Sequence, residues 1–300
     1  MLQWLRYLRV LSSMITKEAI TKARDITRFY GTSYYRATWF FPRALREATW
    51  ILYAFVRIPD EMVDTEPDHA KGAAELAKWT ADWEALVAGE LPAGANPIMI
   101  AAKSVHDQYT IPFEYSRAFL KSMAMDLTVE RYETYEALEE YMYGSAAAVG
   151  LMMTHLIGFE EGALPYAKAL GDAMQLTNFL RDIDEDYMLR NRIYLPREDM
   201  ERYGVTEMHI AEKRTDDAWK ALMQFQMGRA RALFRESDKG IALLHPRGHR
   251  AVAVASALYS AILDEIEMRG YDSFKGRVRT STVRKFSIIT TTLWNTKKAH

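Results

Sequence analysis

Apolar residues recur three and four positions apart along most of the 300-residue chain, and strict apolar–polar alternation is scarce, so the pattern predicts helices throughout. The strongest stretch is Gln175–Pro196, QLTNFLRDIDEDYMLRNRIYLP, which has no Gly or Pro before Pro196 and carries Leu176, Phe179, Leu180 and Ile183 at helical spacing. A second is Thr49–Asp64, TWILYAFVRIPDEMVD, where Trp50, Leu52, Ala54 and Phe55 predict a buried helix. That helix is expected to start at Pro42, whose missing N–H costs nothing in a first turn, and to kink at Pro59. An aromatic-rich helix follows Tyr30-Gly31-Thr32-Ser33 and ends near Phe41. Further helices are predicted near 71–88, 98–108, 112–130, 134–157, 161–188, 214–240, 249–269 and 277–293, with short ones around Glu198–Tyr203. Thr65–His69 and Leu91–Pro97 read as loops and Arg192–Pro196 as extended chain. With no interdomain linker and no internal repeat, residues 1–300 predict one all-α domain.

Composition supports this reading. Apolar residues at 49% and charged residues at 26% fit a globular chain with a sizeable core. The absence of cysteine excludes disulfides and thiolate metal sites. No apolar run approaches the roughly 18 residues of a membrane span. Residues 1–14, MLQWLRYLRVLSSM, break their apolar groups with Arg6 and Arg9, unlike a signal peptide. Residues 1–20 therefore read as a peripheral amphipathic segment or as a helix packed on the body. The net charge of −1 conceals a basic end, since residues 269–300 hold eight Lys and Arg against Asp272 alone. Such an end suits a phosphate ligand or an anionic lipid surface; nucleic acid is disfavoured because the rest of the chain is not basic. The expected location is cytoplasmic, with peripheral membrane contact, and no obligate protein partner is implied.

Candidate chemistry lies on the two strongest helices. Gln175, Asn178, Asp182 and Asp186 are spaced three, four and four apart, and Tyr53, Arg57, Asp60 and Asp64 four, three and four, so each set lines one helical face. Carboxylates four apart repel by a few tenths of a kcal/mol, roughly, unless something neutralises them, and beside apolar surroundings they call for a cation or a functional cavity. One such pair alone is ordinarily a solvated face; two pairs on separate helices are harder to dismiss. Magnesium takes one or two carboxylates together with water and phosphate oxygens, and Arg57 and Arg181 can add bidentate phosphate contacts. The combination suggests metal-assisted departure of diphosphate from an apolar substrate. His245 and His249 are four apart, but Pro246 and Gly248 intervene, which disfavours a helical zinc pair.

The motifs resemble those of the squalene/phytoene synthase family, the head-to-head prenyltransferases. YAFVRIPDEMVD resembles its first aspartate-rich motif and QLTNFLRDIDEDYMLRNRIYLP its second. YMYGSAAAVGLM, from Tyr141, resembles its small-residue wall helix, and LYSAILDEIEMRGYDSFKGRV, Leu258–Val278, its C-terminal signature. The resemblance covers roughly residues 28–287 and is closest to phytoene synthases. It implies an all-α isoprenoid-synthase bundle around a central apolar cavity. One prenyl diphosphate would ionise and be attacked by the double bond of another. Proton loss would give a cyclopropylcarbinyl diphosphate, which ionises, rearranges and is quenched. By motif position, Asp60, Asp64, Asp182 and Asp186 would hold Mg2+ and diphosphate. Arg57, Arg181, Gln175 and Asn178 would bind or orient the diphosphate. Tyr141, Ser33, Tyr53, Tyr259, Arg277 and Lys285 match further catalytic or substrate-site positions.

Glu61 stands where many members have a second Asp, Thr32 where a lysine is usual, and Ala147-Ala148 where Gly-Thr is common. These departures bear on substrate length and rate more than on reaction class. The small side chains of Ala146, Ala147, Ala148 and Gly150 would either leave room for a long chain or serve close helix–helix packing, and the modest Thr38 leans towards two geranylgeranyl diphosphates, giving phytoene. Farnesyl diphosphate, giving squalene, hydroxysqualene or dehydrosqualene, is the enzymatic alternative, and NADPH would be needed only for squalene. A non-catalytic assembly or lipid-binding homologue could lose its acids freely; this chain retains all four.

Overall fold

The computed structural model describes residues 15–64 and 68–298. Most of these residues lie in helices: α1 Lys17–Tyr30, α2 Thr32–Ala37, α3 Arg43–Asp64, α4 His69–Val87, α5 Pro97–Tyr109, α6 Phe113–Met125, α7 Tyr135–Met142, α8 Ala148–Ile157, α9 Leu164–Arg190, α10 Arg197–Arg202, α11 Glu207–Ala211, α12 Asp217–Asp238, α13 Pro246–Met268 and α14 Thr282–Lys298. Among the described residues there is no named strand, only two isolated bridges, Arg131 with Ile193 and Phe159 with Leu244. Helix starts are written locally. Thr16, Asp68, Asn96, Thr134 and Asp216 each accept hydrogen bonds from backbone N–H groups of the first turn that would otherwise be unpaired. Helix α9 stops at Asn191, which takes the left-handed conformation (φ 52°) that asparagine tolerates.

The helices pack into two apolar clusters. The first joins α3 to α4, α5 and α6: Phe55 lies 4.5 Å from Trp83, ring centre to ring centre, and the Trp83 indole donates to Ser116 Oγ at 3.1 Å. The second joins α9 to α12, with Ala173, Leu176, Leu180 and Ile183 in the same core as Trp219, Leu222, Met223 and Met227. Each fully buried large apolar side chain contributes on the order of 1.5–3 kcal/mol. Helix α3 belongs to the first cluster and α9 to the second, so the two acidic faces meet where the clusters meet.

The structure corrects several boundaries. The helix predicted for 134–157 is broken by a π-helical turn at Tyr143–Ala147, the one predicted for 112–130 ends at Met125, and the last helix starts at Thr282 and not near 277. Helix α1 is not among the predicted helices, although Thr16 caps its start and Ala19, Ala23 and Thr27 lie on one buried face. The small-residue run serves close packing: a Cβ on Gly150 would sit 2.9 Å from the Ala167 carbonyl oxygen, and one on Gly171 would sit 2.8 Å from that of Ala146. It brings the wall helix against α9, the close-packing reading of that run. Thr38 likewise lies in a closed corner, its hydroxyl donating to the Tyr35 carbonyl and accepting from the Trp50 indole. The segment 1–14 and residues 65–67 of the predicted loop lie outside the described residues.

Candidate active site

The acidic faces of α3 and α9 come together across Arg190, and their carboxylates are occupied by arginines. Asp60 Oδ2 pairs with Arg57 at 2.6 Å, and Arg57 also pairs with Glu61 and lies over the Tyr30 ring. Asp182 Oδ1 accepts from Arg181 Nε at 2.8 Å, and its Oδ2 accepts from Arg277 at 3.2 Å. Arg190 lies between the two motifs, Nε 3.2 Å from Asp64 and Nη1 3.2 Å from Asp186. Arg192 adds a second guanidinium to Asp64 at 2.8 Å. The side chains of the four aspartates stay between 13% and 30% exposed, sunk but still reachable from solvent.

Crowding of carboxylates shows in their acidity. Burial pushes the Asp60 carboxyl up to about 7, reinforced by Asp64, Asp126 and Glu61 against the opposing pull of Arg57. Asp186 is pushed up to about 7 as well, by burial and then by Asp182, with Arg190 opposing and Asp64 adding to the rise. Asp64 acts on both, which places it electrostatically between the motifs. Both raised groups protonate easily and favour any additional cation that arrives. The donors are hard carboxylate oxygens in opposed pairs. Among the described residues no three acidic or histidine side chains form a ready cage, yet Mg2+ needs only one or two carboxylates when phosphate and water complete its shell. The residues fit that ion.

The remaining predicted residues divide into two groups. Gln175 donates to Ser145 Oγ on the π-helical turn and accepts from Asn178, both at 3.3 Å, so these amides are tied to the wall that carries Tyr141. Tyr53 stacks on Tyr34 at 5.2 Å between ring centres, and burial raises the pKa of both phenols, with Tyr259 adding to each shift. Arg181 also feels Tyr259, so α2, α3, α9 and α13 contribute to one aromatic and cationic wall. Gly31 is required there, because a Cβ would lie 2.7 Å from the Tyr53 hydroxyl. Tyr141 is buried and donates to Asp126 at 2.8 Å. The side chain of Ser33, on α2, lies outside the described residues. Lys285 lies on α14, which packs along α13, and among the described residues no hydrogen bond or ion pair ties its side chain to the acids.

Sequence reasoning missed Arg190, Arg192 and Asp126. The trailing RIYLP marked Arg192 as extended chain, but nothing in the spacing pointed to Asp64 as its partner. Asp126, alone at the end of α6, carried no signal. A groove of about 660 Å3 runs along α1 beside Lys17, Thr21, Asp25 and Phe29, lined by none of the four aspartates; the chemistry is not there.

Comparison with known proteins gives a consistent result. The family described as Squalene/phytoene synthase matches residues 27–284. The chain is 35% identical to the 15-cis-phytoene synthase of Synechococcus elongatus, over 92% of each chain. It is also 35% identical to the phytoene synthase of Arthrospira platensis, over 87% of this chain and 88% of that one. Among solved structures, a dehydrosqualene synthase superposes with a TM-score of 0.86 at 29% identity, covering 94% of this chain and 98% of the other. A squalene synthase from Alicyclobacillus acidocaldarius superposes at 0.77 with 28% identity, covering 85% and 95%.

Proposed function

The chain belongs to the squalene/phytoene synthase family and is a prenyltransferase, and we propose that it joins two geranylgeranyl diphosphates head to head to give phytoene. The observation that carries this reading is the meeting of two aspartate pairs across Arg190, beside a wall of Tyr34, Tyr53 and Tyr259. Relatives named as phytoene synthases support the twenty-carbon substrate. The superposition on a dehydrosqualene synthase favours farnesyl diphosphate as the second reading.

Asp60, Asp64, Asp182 and Asp186 would hold Mg2+, which supplies positive charge to a leaving diphosphate. Arg57 and Arg181 present planar, permanently charged forks to phosphate oxygens, and Asn178 and Gln175 orient the same group from one turn away. Ionisation breaks the C1–O bond of the first substrate; the double bond of the second attacks the allylic cation, and a proton leaves to close the cyclopropane. The second diphosphate then departs, the skeleton rearranges, and loss of another proton gives the hydrocarbon. Aromatic faces near such cations contribute roughly 0.5–2 kcal/mol each, and exclusion of water prevents early quenching. Peripheral contact with a lipid surface belongs to the same reading. Exposed Val283, Phe286 and Trp294 on α14, beside the basic end, support it. Vesicle co-sedimentation unchanged by charge reversal at Arg279 and Lys285 would count against it.

The test is product analysis after incubation with Mg2+ and each diphosphate, with and without NADPH. A forty-carbon hydrocarbon independent of NADPH is expected. A thirty-carbon product would move the assignment to the squalene side, and no product from either would overturn it.

A further inference from the structure

Beside the candidate site lies a buried polar assembly centred on Asp126, a residue that neither aspartate-rich motif includes. Asp126 caps the C-terminal end of α6 with its side chain 5% exposed. Its Oδ2 accepts from the Tyr141 hydroxyl at 2.8 Å and its Oδ1 from the Tyr194 hydroxyl at 3.1 Å. Arg192, 8% exposed, reaches the same group from the other side. Its Nη2 donates to the Asp126 backbone carbonyl at 2.9 Å, and its Nη1 lies 3.7 Å from the Asp126 carboxylate and 2.8 Å from Asp64. The reversal at Asn191 aims Arg192 inward. It is pinned there by the Arg192 N–H on the Asp186 carbonyl at 3.0 Å and the Ile193 N–H on the Glu130 carbonyl at 2.9 Å. The rings are clamped as well: Tyr194 stacks on Phe179 at 4.1 Å and on Tyr141 at 5.5 Å. The space left between Phe179, Asp186, Arg192 and Tyr194 is about 10 Å3, no more than a single water needs.

We propose that Arg192 and Asp126 form a buried strut that positions Asp64 on α3 relative to Tyr141 on α7. The proposal rests on the reading of Asp64 as a metal-binding carboxylate and of Tyr141 as part of the reaction cavity. Arg192 and Asp126 are positioning residues: they act through Asp64 and Tyr141. A guanidinium suits the task because its fixed fork serves two carboxylates and a carbonyl at once and remains charged, whereas a lysine ammonium is a single point charge on a flexible stem. Asp126 matches it by accepting two phenols on separate oxygens. A displaced Asp64 or Tyr141 would weaken transition-state positioning, where shifts of about 1 Å cost on the order of 100-fold. An ion pair that merely held the fold together would change stability alone.

The experiment uses the full chain with Arg192→Lys, Asp126→Asn and Tyr194→Phe. Three quantities are measured: kcat and KM on the preferred diphosphate, the melting temperature, and the Mg2+ concentration at which an unreactive thio-diphosphate analogue half-stabilises the protein. Asp126→Asn should lower kcat by about 30-fold with KM within about twofold. Arg192→Lys should raise the Mg2+ midpoint by about tenfold. Tyr194→Phe removes one hydroxyl, which donates to Asp126 and accepts from Arg192 Nη1 at 3.5 Å, and leaves Tyr141, the Arg192 bonds to Asp64 and to the Asp126 carbonyl, and the ring stack in place; it should lower kcat several-fold at an unchanged melting temperature, and it decides the matter if either other variant fails to fold. Variants that keep the wild-type kcat and Mg2+ midpoint, or lose them only in proportion to lost folded protein, overturn the strut. A wild-type protein that neither turns over nor responds to Mg2+ with the analogue overturns the underlying reading and the strut with it.

Discussion

Helices α3 and α9 carry the same Asp-x-x-x-Asp spacing, yet the structure supports the two pairs differently. On α3 the helix's own Arg57 serves Asp60, and Asp64 depends on Arg190 and Arg192, which come from the end of α9 and the turn after it. On α9 both acids are served from the same helix, Asp182 by Arg181 and Asp186 by Arg190, with Arg277 added from the C-terminal segment. The second motif is thus largely self-sufficient and the first leans on it. The cations that α9 supplies also join the two apolar clusters, so the α9 end is expected to control the geometry of both acid pairs.

The largest expected effect breaks either pair outright. Asp60→Asn or Asp182→Asn should lower turnover by at least about 100-fold while the melting temperature stays within a few degrees, checked by product formation and thermal unfolding. Unchanged turnover in either variant would remove the pair from the site. Arg190→Ala should come next, because it takes a cation from both motifs at once. We expect turnover to fall by about tenfold or more and stability by about 1–3 kcal/mol, the usual range for losing a charged hydrogen-bond partner, read from denaturant unfolding. Equal damage from Arg57→Ala would argue against the asymmetry.

A pH series sharpens the comparison further. Asp60 and Asp186 are both pushed up to about 7, whereas an unfolded aspartate releases its proton near 4. The folded chain therefore holds more protons between those values, and its stability should fall as pH rises through that window. Melting curves in chelator from pH 4.5 to 8 should show the fall, and Asp60→Asn and Asp186→Asn should each flatten it. Mg2+ should protect most above pH 7, where both groups are ionised. The smallest effect is expected from Arg277→Ala. Its side chain is 45% exposed, so stability should change by less than about 1 kcal/mol and KM by a few-fold, measured on the same diphosphate.

Much of this was legible before any coordinates. The spacing of Tyr53, Arg57, Asp60 and Asp64, and of Gln175, Asn178, Asp182 and Asp186, sets each group on one face through the 3.6-residue turn alone. The loop following α4 was readable from its Pro, Gly and Asn content, and Arg192–Pro196 read as extended chain leading into Pro196. The break at Tyr143–Ala147 was not, because a π-helical turn leaves helical periodicity on both sides and is decided by what α7 and α8 must pack against. The role of the alanine and glycine run was equally hidden: small side chains mean room or close approach depending on the neighbour, and here the neighbour is the α9 backbone.

The sequence by itself determined an all-helical chain, two acid-bearing faces and the arginines beside them, since helix formation and face assignment depend on residues three or four apart. Only the tertiary structure decided which arginine meets which aspartate across the two clusters, and that Asp126 joins Tyr141 and Tyr194 to the Arg192 side of the site. Those contacts span 68 positions for Tyr194 and 128 for Asp64. Coulombic and hydrogen-bond partners at such separations are chosen by the packing of whole helices, which no local spacing encodes.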